Sequence, residues 1–181
     1  MTQHITKELR SMLSSHSSQV ISILFGAMSL VFSGASVPAS PVVNISSHDA
    51  KATATKAKLV DVDESVRGHV NPASAIPGLR ILVRPVKGGP SKCYTSDKWY
   101  PQTDLETDKA TGDWSIDVTL GTQAAKDHGC FYELLAATFD AAGLKAIDAY
   151  LKRGEEKNIW KPIPLPEPTS NRALLRLQRK P

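Results

Sequence analysis

Cysteine is scarce in this chain: two residues, Cys93 and Cys130, among 181. So few exclude a disulfide-rich scaffold and a four-cysteine zinc site. Their partners in a mixed zinc site would be His69 and His128, which lack helical or knuckle spacing, so no metal ligand set is assigned. Long apolar runs are scarce as well. The longest, Val20 to Phe32, covers about 13 residues, short of the roughly 20 that cross a bilayer comfortably. Charge of one sign is lacking. A net +4, with basic residues scattered among acids, is a solubility balance and not a nucleic-acid footprint. Catalytic motifs are missing too. There is no Gly-x-Ser-x-Gly elbow, and Lys87-Gly88-Gly89-Pro90-Ser91-Lys92 lacks phosphate-loop spacing and precedes no helix. His69 and His128 stand apart from any nucleophile motif. No catalytic residue and no cofactor are assigned.

What is present describes a globular protein, with 41% hydrophobic and 22% charged residues. The chain has room for one domain and appendages. Residues 1–39 read as a signal peptide or membrane anchor. Lys7 and Arg10 outweigh Glu8, an apolar helix follows, and Ser33-Gly34-Ala35 and Val37-Pro38-Ala39 offer small residues for cleavage. The long polar lead-in keeps an uncleaved anchor open, with membrane contact only through residues 20–37, and a buried core helix is the third reading. Both main readings place the rest outside the cytoplasm: periplasmic, secreted, or anchored and facing outward. Residues 40–58, rich in Ser, Ala, Thr and Lys without periodicity, read as a flexible linker. Asn44-Ile45-Ser46 is a formal sequon, a weak signal by itself.

Residues 59–181 read as one mainly β domain. Leu59–Val62, Ser65–Val70, Arg80–Val86, Lys92–Thr95 and Trp99–Tyr100 are short strand candidates separated by turn signals. Pro85 pushes the end of its strand toward a sheet edge. Trp114, Ile116, Val118 and Leu120 alternate with Ser115, Asp117 and Thr119, the period of a half-buried strand. Cys130–Phe139 is another strand. Asp140 then caps a helix from Ala141 to about Arg153, with Leu144, Ile147 and Leu151 as its apolar stripe, an Asp148–Lys152 pair, and Gly154 as its stop. A helix this short is expected across an end or edge of a sandwich. Pro162, Pro164, Pro166 and Pro168 make a stiff spacer into a last strand, Ala173–Arg179. The charges of Arg172, Arg176, Arg179 and Lys180 suit a protected edge there.

Val66-x-Gly68-x-Val70, Ile81-Leu82-Val83, Trp99-Tyr100-Pro101-Gln102, Gly112-Asp113-Trp114 through Leu120-Gly121, Phe131 to Ala136 and the helix ending in Tyr150-Leu151 together resemble a family of bacterial extracytoplasmic β-sandwich modules of immunoglobulin-like character. The resemblance covers roughly residues 64–181. It implies an immunoglobulin-like antiparallel β-sandwich with one short peripheral helix, and binding or structure instead of catalysis.

Two cysteines on separate strands of an exported chain form one bridge, the alternative being two buried free thiols. Asp104, Glu106 and Asp108 offer oxygen ligands, but Lys109 stands where a calcium loop needs glycine, so a solvated acidic loop is the better reading. Trp99, Tyr100, Trp114, Tyr94 and Trp160 are the candidate aromatic platform. Trp114 belongs to the apolar face, and Trp99 and Tyr100, being adjacent, point to opposite faces, so one is buried and the other free for a ligand. The leading function is a non-catalytic interaction module at the bacterial cell envelope, with an unidentified protein or glycan partner and no nucleic acid. The alternatives are a carbohydrate-binding module using the exposed Trp or Tyr, and a small extracytoplasmic hydrolase. Mass spectrometry of the exported protein is expected to find a new N-terminus near Ser36 or Ser40. An intact Met1 in the membrane fraction would replace the signal peptide with an anchor.

Overall fold

A computed structural model describes residues 39–46, 57–122 and 125–181. The apolar helix expected at 20–37 lies outside these residues, as do Ser47–Lys56 within the expected linker. Two sheets face each other. The first holds four strands in the order β1 (Val42–Ile45), β3 (Asp63–Asn71), β7 (Asp113–Thr119) and β6 (Glu106–Thr107). The second holds five, in the order β2 (Lys58–Val60), β9 (Ala173–Arg179), β8 (Phe131–Thr138), β4 (Leu79–Val86) and β5 (Tyr100–Pro101). This is a mostly β architecture consistent with a β-sandwich. Its pairings are antiparallel except for β2 against β9, which is parallel. Val42–Ile45, inside the stretch read as a linker, forms β1, and its Val43 is fully buried. Lys92–Thr95 forms no strand.

The alternation in β7 places Trp114, Ile116, Val118 and Leu120 in the core between the sheets, against Ile81, Val83, Leu134, Ala136, Leu175 and Leu177 of the other sheet. The intervening polar residues face water and pair across strands: Thr119 with Asp63, Ser65 with Asp117, His69 with Asp113. Gly68 opposes Trp114 on the inner face. A Cβ there would overlap the indole and the Asn44 carbonyl, so glycine is what lets β1 and the Trp114 ring close over β3.

The one α-helix among the described residues, α1 (Ala141–Lys157), does not lie at an edge. It covers the outer face of the five-stranded sheet, where Leu82, Trp99, Leu135, Ala137, Phe139 and Ile147 form a second cluster with Leu144 and Leu151 at its margin. Asp140 caps it as expected, accepting from Gly143 N at 2.8 Å. Gly154 is inside the helix and not its stop. Asn158, left-handed at φ 51°, ends it. Asp148 pairs with Arg80 on the sheet, and Lys152 with Glu156. The proline segment does more than space: Ile163 pairs with Trp99 and Pro168 with Phe139, and Ile163 and Leu165 pack on the second cluster. Nor is β9 an edge strand, since it lies between β2 and β8. Its basic residues act individually. Arg179 is buried and donates to Leu120 O and Thr122 O at 2.7 and 2.9 Å, while Arg176 donates to Lys87 O and stacks on Phe131.

Pro85 fits the expectation of a local edge. Beyond the two-residue β5 the strand has no partner on that side, and Pro85 O accepts from Ser96 N at 3.0 Å. Because N and O of one strand residue point the same way, the missing donor falls on the open side. Gly68→Ala is expected to lower stability by about 1–3 kcal/mol through overpacking, despite the better strand propensity of alanine. Urea unfolding measures it; an unchanged or raised midpoint would contradict the close approach of Trp114.

Candidate functional site

Beside β5, where the five-stranded sheet ends, the fold leaves a cleft of about 810 Å³. Its floor is Val83 and Pro85 of β4 with Tyr132 of β8. One wall is Tyr100 to Thr103 of β5 and the chain after it. The other runs from Thr119 and Gly121 to Lys126 and Asp127. Tyr150 of α1, Trp160 beyond the helix, and Tyr94 before β5 complete the rim. The sequence folds this way locally for identifiable reasons. From Trp99 into β5 successive side chains alternate, so Trp99 turns outward into the second cluster and Tyr100, opposite Val83, turns to the cleft. After α1, the left-handed Asn158 reverses the chain and its side-chain oxygen accepts from Trp160 Nε1 at 3.2 Å. The Trp160 ring then lies over Gly154, where a Cβ would occupy its space, and edge-on to Tyr150 at 5.8 Å between centroids.

Four rings therefore follow one another along the cleft: Tyr94, Tyr100, Tyr150 and Trp160. Tyr94 is 64% exposed and Trp160 42%, the two most accessible large rings among the described residues. Burial raises the Tyr100 phenol, and the neighbouring Tyr94 adds to the effect. Burial likewise pushes the Tyr150 phenol up to about 12, helped by Tyr100 and opposed by Arg153. Tyr132 is also pushed to about 12, by burial first and by the Asp127 charge second, with Arg179 opposing. Gly121, at φ 76°, leaves the space that the Tyr132 hydroxyl and the Asp127 carboxylate occupy. At Asp127 burial works against ionisation. Hydrogen bonds from Thr122 Oγ and N, at 2.5 and 2.6 Å, with Lys126 and Arg179 nearby, outweigh it and hold the carboxyl below the ordinary range. The cleft is thus rich in hydroxyl and amide groups, with Lys126 and Asp127 balancing in charge.

Cys93 and Cys130 form the bridge expected of them, with Cα atoms 5.5 Å apart. It ties together the two segments that build the cleft walls, because Tyr94 follows Cys93 and the Gly121–Gly129 loop precedes Cys130. Closing 37 residues is worth roughly 3–4 kcal/mol by chain entropy.

Of the residues singled out in the sequence, Tyr100, Tyr94 and Trp160 meet at the cleft. Trp99 does not: it is 4% exposed, with the Arg84 guanidinium 4.4 Å above its ring. Trp114 is core. Asp104 and Glu106 share a separate hollow of about 290 Å³ with Ser65, Arg67 and Asp117. Asp108 instead caps its own turn, accepting from Ala110 N and Thr111 N. Among the described residues no cluster of three or more His, Cys, Asp or Glu is placed to hold a metal ion. His69 Nδ1 lies 3.0 Å from Asp113 Oδ1 and lowers that carboxyl's pKa, but the nearby Thr111 hydroxyl bonds Asp113 and not the imidazole. The base-to-nucleophile contact of a triad is missing there. His128 is half-buried in the turn before β8. Tyr132, Tyr150 and the Thr122–Asp127 pair were not assigned to a site from the sequence. The one available signal was Gly154 within a helix, four residues after Tyr150.

Comparison with protein families, with curated proteins and with solved structures finds no match to this chain.

Phenolate absorbance tests the cleft. The unfolded chain ionises its tyrosines near 10, whereas Tyr132 and Tyr150 hold their protons to about 12. Above pH 10 the unfolded state sheds protons that the folded state keeps. Stability is therefore full below about pH 10 and falls as pH rises toward 12. Tyr132→Phe and Tyr150→Phe should each remove one late-titrating phenol. A folded protein whose tyrosines all ionise near 10 would contradict the burial.

Proposed function

We propose that this protein is an extracytoplasmic, non-catalytic interaction module of immunoglobulin-like character that binds its partner at the cell envelope through the cleft beside β5. The observation that carries the reading is the row Tyr94, Tyr100, Tyr150 and Trp160. A folded chain that buries Trp99, Trp114 and Ile147 yet leaves Tyr94 and Trp160 on the rim of a cleft exposes the kind of aromatic surface on which binding energy concentrates. The bridge between Cys93 and Cys130 supports an oxidising compartment, weakly, and agrees with the export signal read in residues 1–39.

The test is co-purification. The full-length protein, cross-linked in cells and recovered from the envelope fraction, should bring envelope material with it. The Tyr94→Ala/Trp160→Ala double variant, equally folded because both side chains are exposed, should lose about tenfold of that yield. Equal recovery by both proteins, or recovery from the cytoplasm alone, would contradict the reading. Turnover of an ester or glycoside substrate abolished by His69→Ala would instead favour the hydrolase alternative.

A further inference from the structure

The aromatic cleft does not stand alone. A second recess of about 700 Å³ adjoins it, sharing Pro85 and Tyr94. Its charged rim is Arg84, Lys87, Lys98 and Lys161 against Asp97. Arg84 is neutralised by Glu133, whose Oε2 it meets at 2.6 Å. Lys87, Lys98 and Lys161 are exposed. One side of Tyr94 therefore faces rings and hydroxyls, and the other faces an excess of ammonium groups.

The backbone at this site is closed to an added strand. On the outer side of β5, Trp99 N and O are paired with Ile163 at 2.8 and 2.9 Å, and Pro101 has no N–H to give. Tyr100 O also accepts from the Gln102 side chain at 2.9 Å. An extended peptide gains its affinity at a sheet edge from main-chain hydrogen bonds, and these are spent. What the site offers is ring faces, hydroxyl and amide groups, and adjacent cations.

Resting on the cleft reading above, we propose that the ligand is an anionic glycan, with a sugar ring on the Tyr94–Tyr100–Trp160 surface and a carboxylate or phosphate substituent held by Lys87, Lys98 and Lys161. The apolar face of a pyranose suits an aromatic ring, its hydroxyls suit the Gln102, Thr103 and tyrosine groups of the lining, and its charge suits the lysine recess. Gly154 enters as a positioning residue, because the space above it is what seats Trp160.

Calorimetry and tryptophan fluorescence of the full-length protein test this with tetragalacturonate, a phosphorylated tetramannoside, a neutral glucose tetramer and hexaglutamate. At least one of the two anionic saccharides should bind and change the fluorescence, Trp160 being the exposed tryptophan. Which of them does so separates carboxylate from phosphate as the anionic group. Affinity should fall about tenfold with Trp160→Ala or Tyr94→Ala, and comparably with Lys98→Ser/Lys161→Ser. It should weaken with added salt, since the lysines are exposed. Gly154→Ala should also weaken binding while the protein stays folded, because alanine favours the helix and only displaces the ring. Equal affinity for the neutral tetramer would overturn the anionic class and leave the cleft reading intact. Tighter binding of hexaglutamate would overturn the glycan class. Failure of both anionic saccharides would overturn the proposal, and the envelope co-purification would then decide whether the cleft reading falls with it.

Discussion

Leu134 and Leu135 are neighbours in the chain and both are fully buried, yet they point into different cores. In a strand consecutive side chains take opposite faces, so this pair requires β8 to be covered on both sides. On one side lie β7 and β3 of the facing sheet; on the other lies α1. Each buried leucine contributes roughly 1.5–3 kcal/mol by removal from water. The double cover therefore fixes where both layers go. It also fixes the neighbours of β8, with β4 and β9 paired along nearly its whole length.

The cleft inherits its shape from that arrangement. With β8 central, β4 carries only the two-residue β5 on its far side, and the sheet ends there. The helix on the outer face brings Tyr150 to the same border, and the chain turning back at Asn158 sets Trp160 beside it. On the inner face, Tyr132 rises from β8 toward Gly121. The Cys93–Cys130 bridge then joins the loop before β5 to the loop before β8. The cleft is thus assembled from strand ends, the helix and the loops between them, with each loop anchored within a few residues of a buried strand or the bridge.

The sequence made some of this legible and hid the rest for physical reasons. The period of two in Trp114–Leu120 announces a strand with one wet face, and β7 is that strand. The run Leu134-Leu135-Ala136-Ala137 has no such period, because a strand covered on both sides has no polar face to mark it. Shortness alone places the helix across an end or edge of a sandwich, and nothing in the run, which does not distinguish a residue facing β7 from one facing α1, corrects that expectation. The adjacency of Trp99 and Tyr100 predicted one buried ring and one free ring. Which was which depended on the register with Leu82 and Val83, a long-range fact. Gly154 looked like a helix stop because glycine commonly is one; its role comes from Trp160, placed against it by a turn that local pattern does not encode. The acidic triplet reads in the sequence as one solvated loop, and the structure divides it, because Glu106 pairs along β7 while Asp108 caps a turn.

Native-state hydrogen exchange tests the double burial of β8 most directly. The account predicts that the amides of Leu134, Leu135 and Ala136 exchange only through global unfolding, with protection equal to the unfolding free energy from denaturant titration, while those of β1 and β6 open locally at lower cost. Amides of β8 exchanging as fast as those of β1 under the same conditions would contradict it.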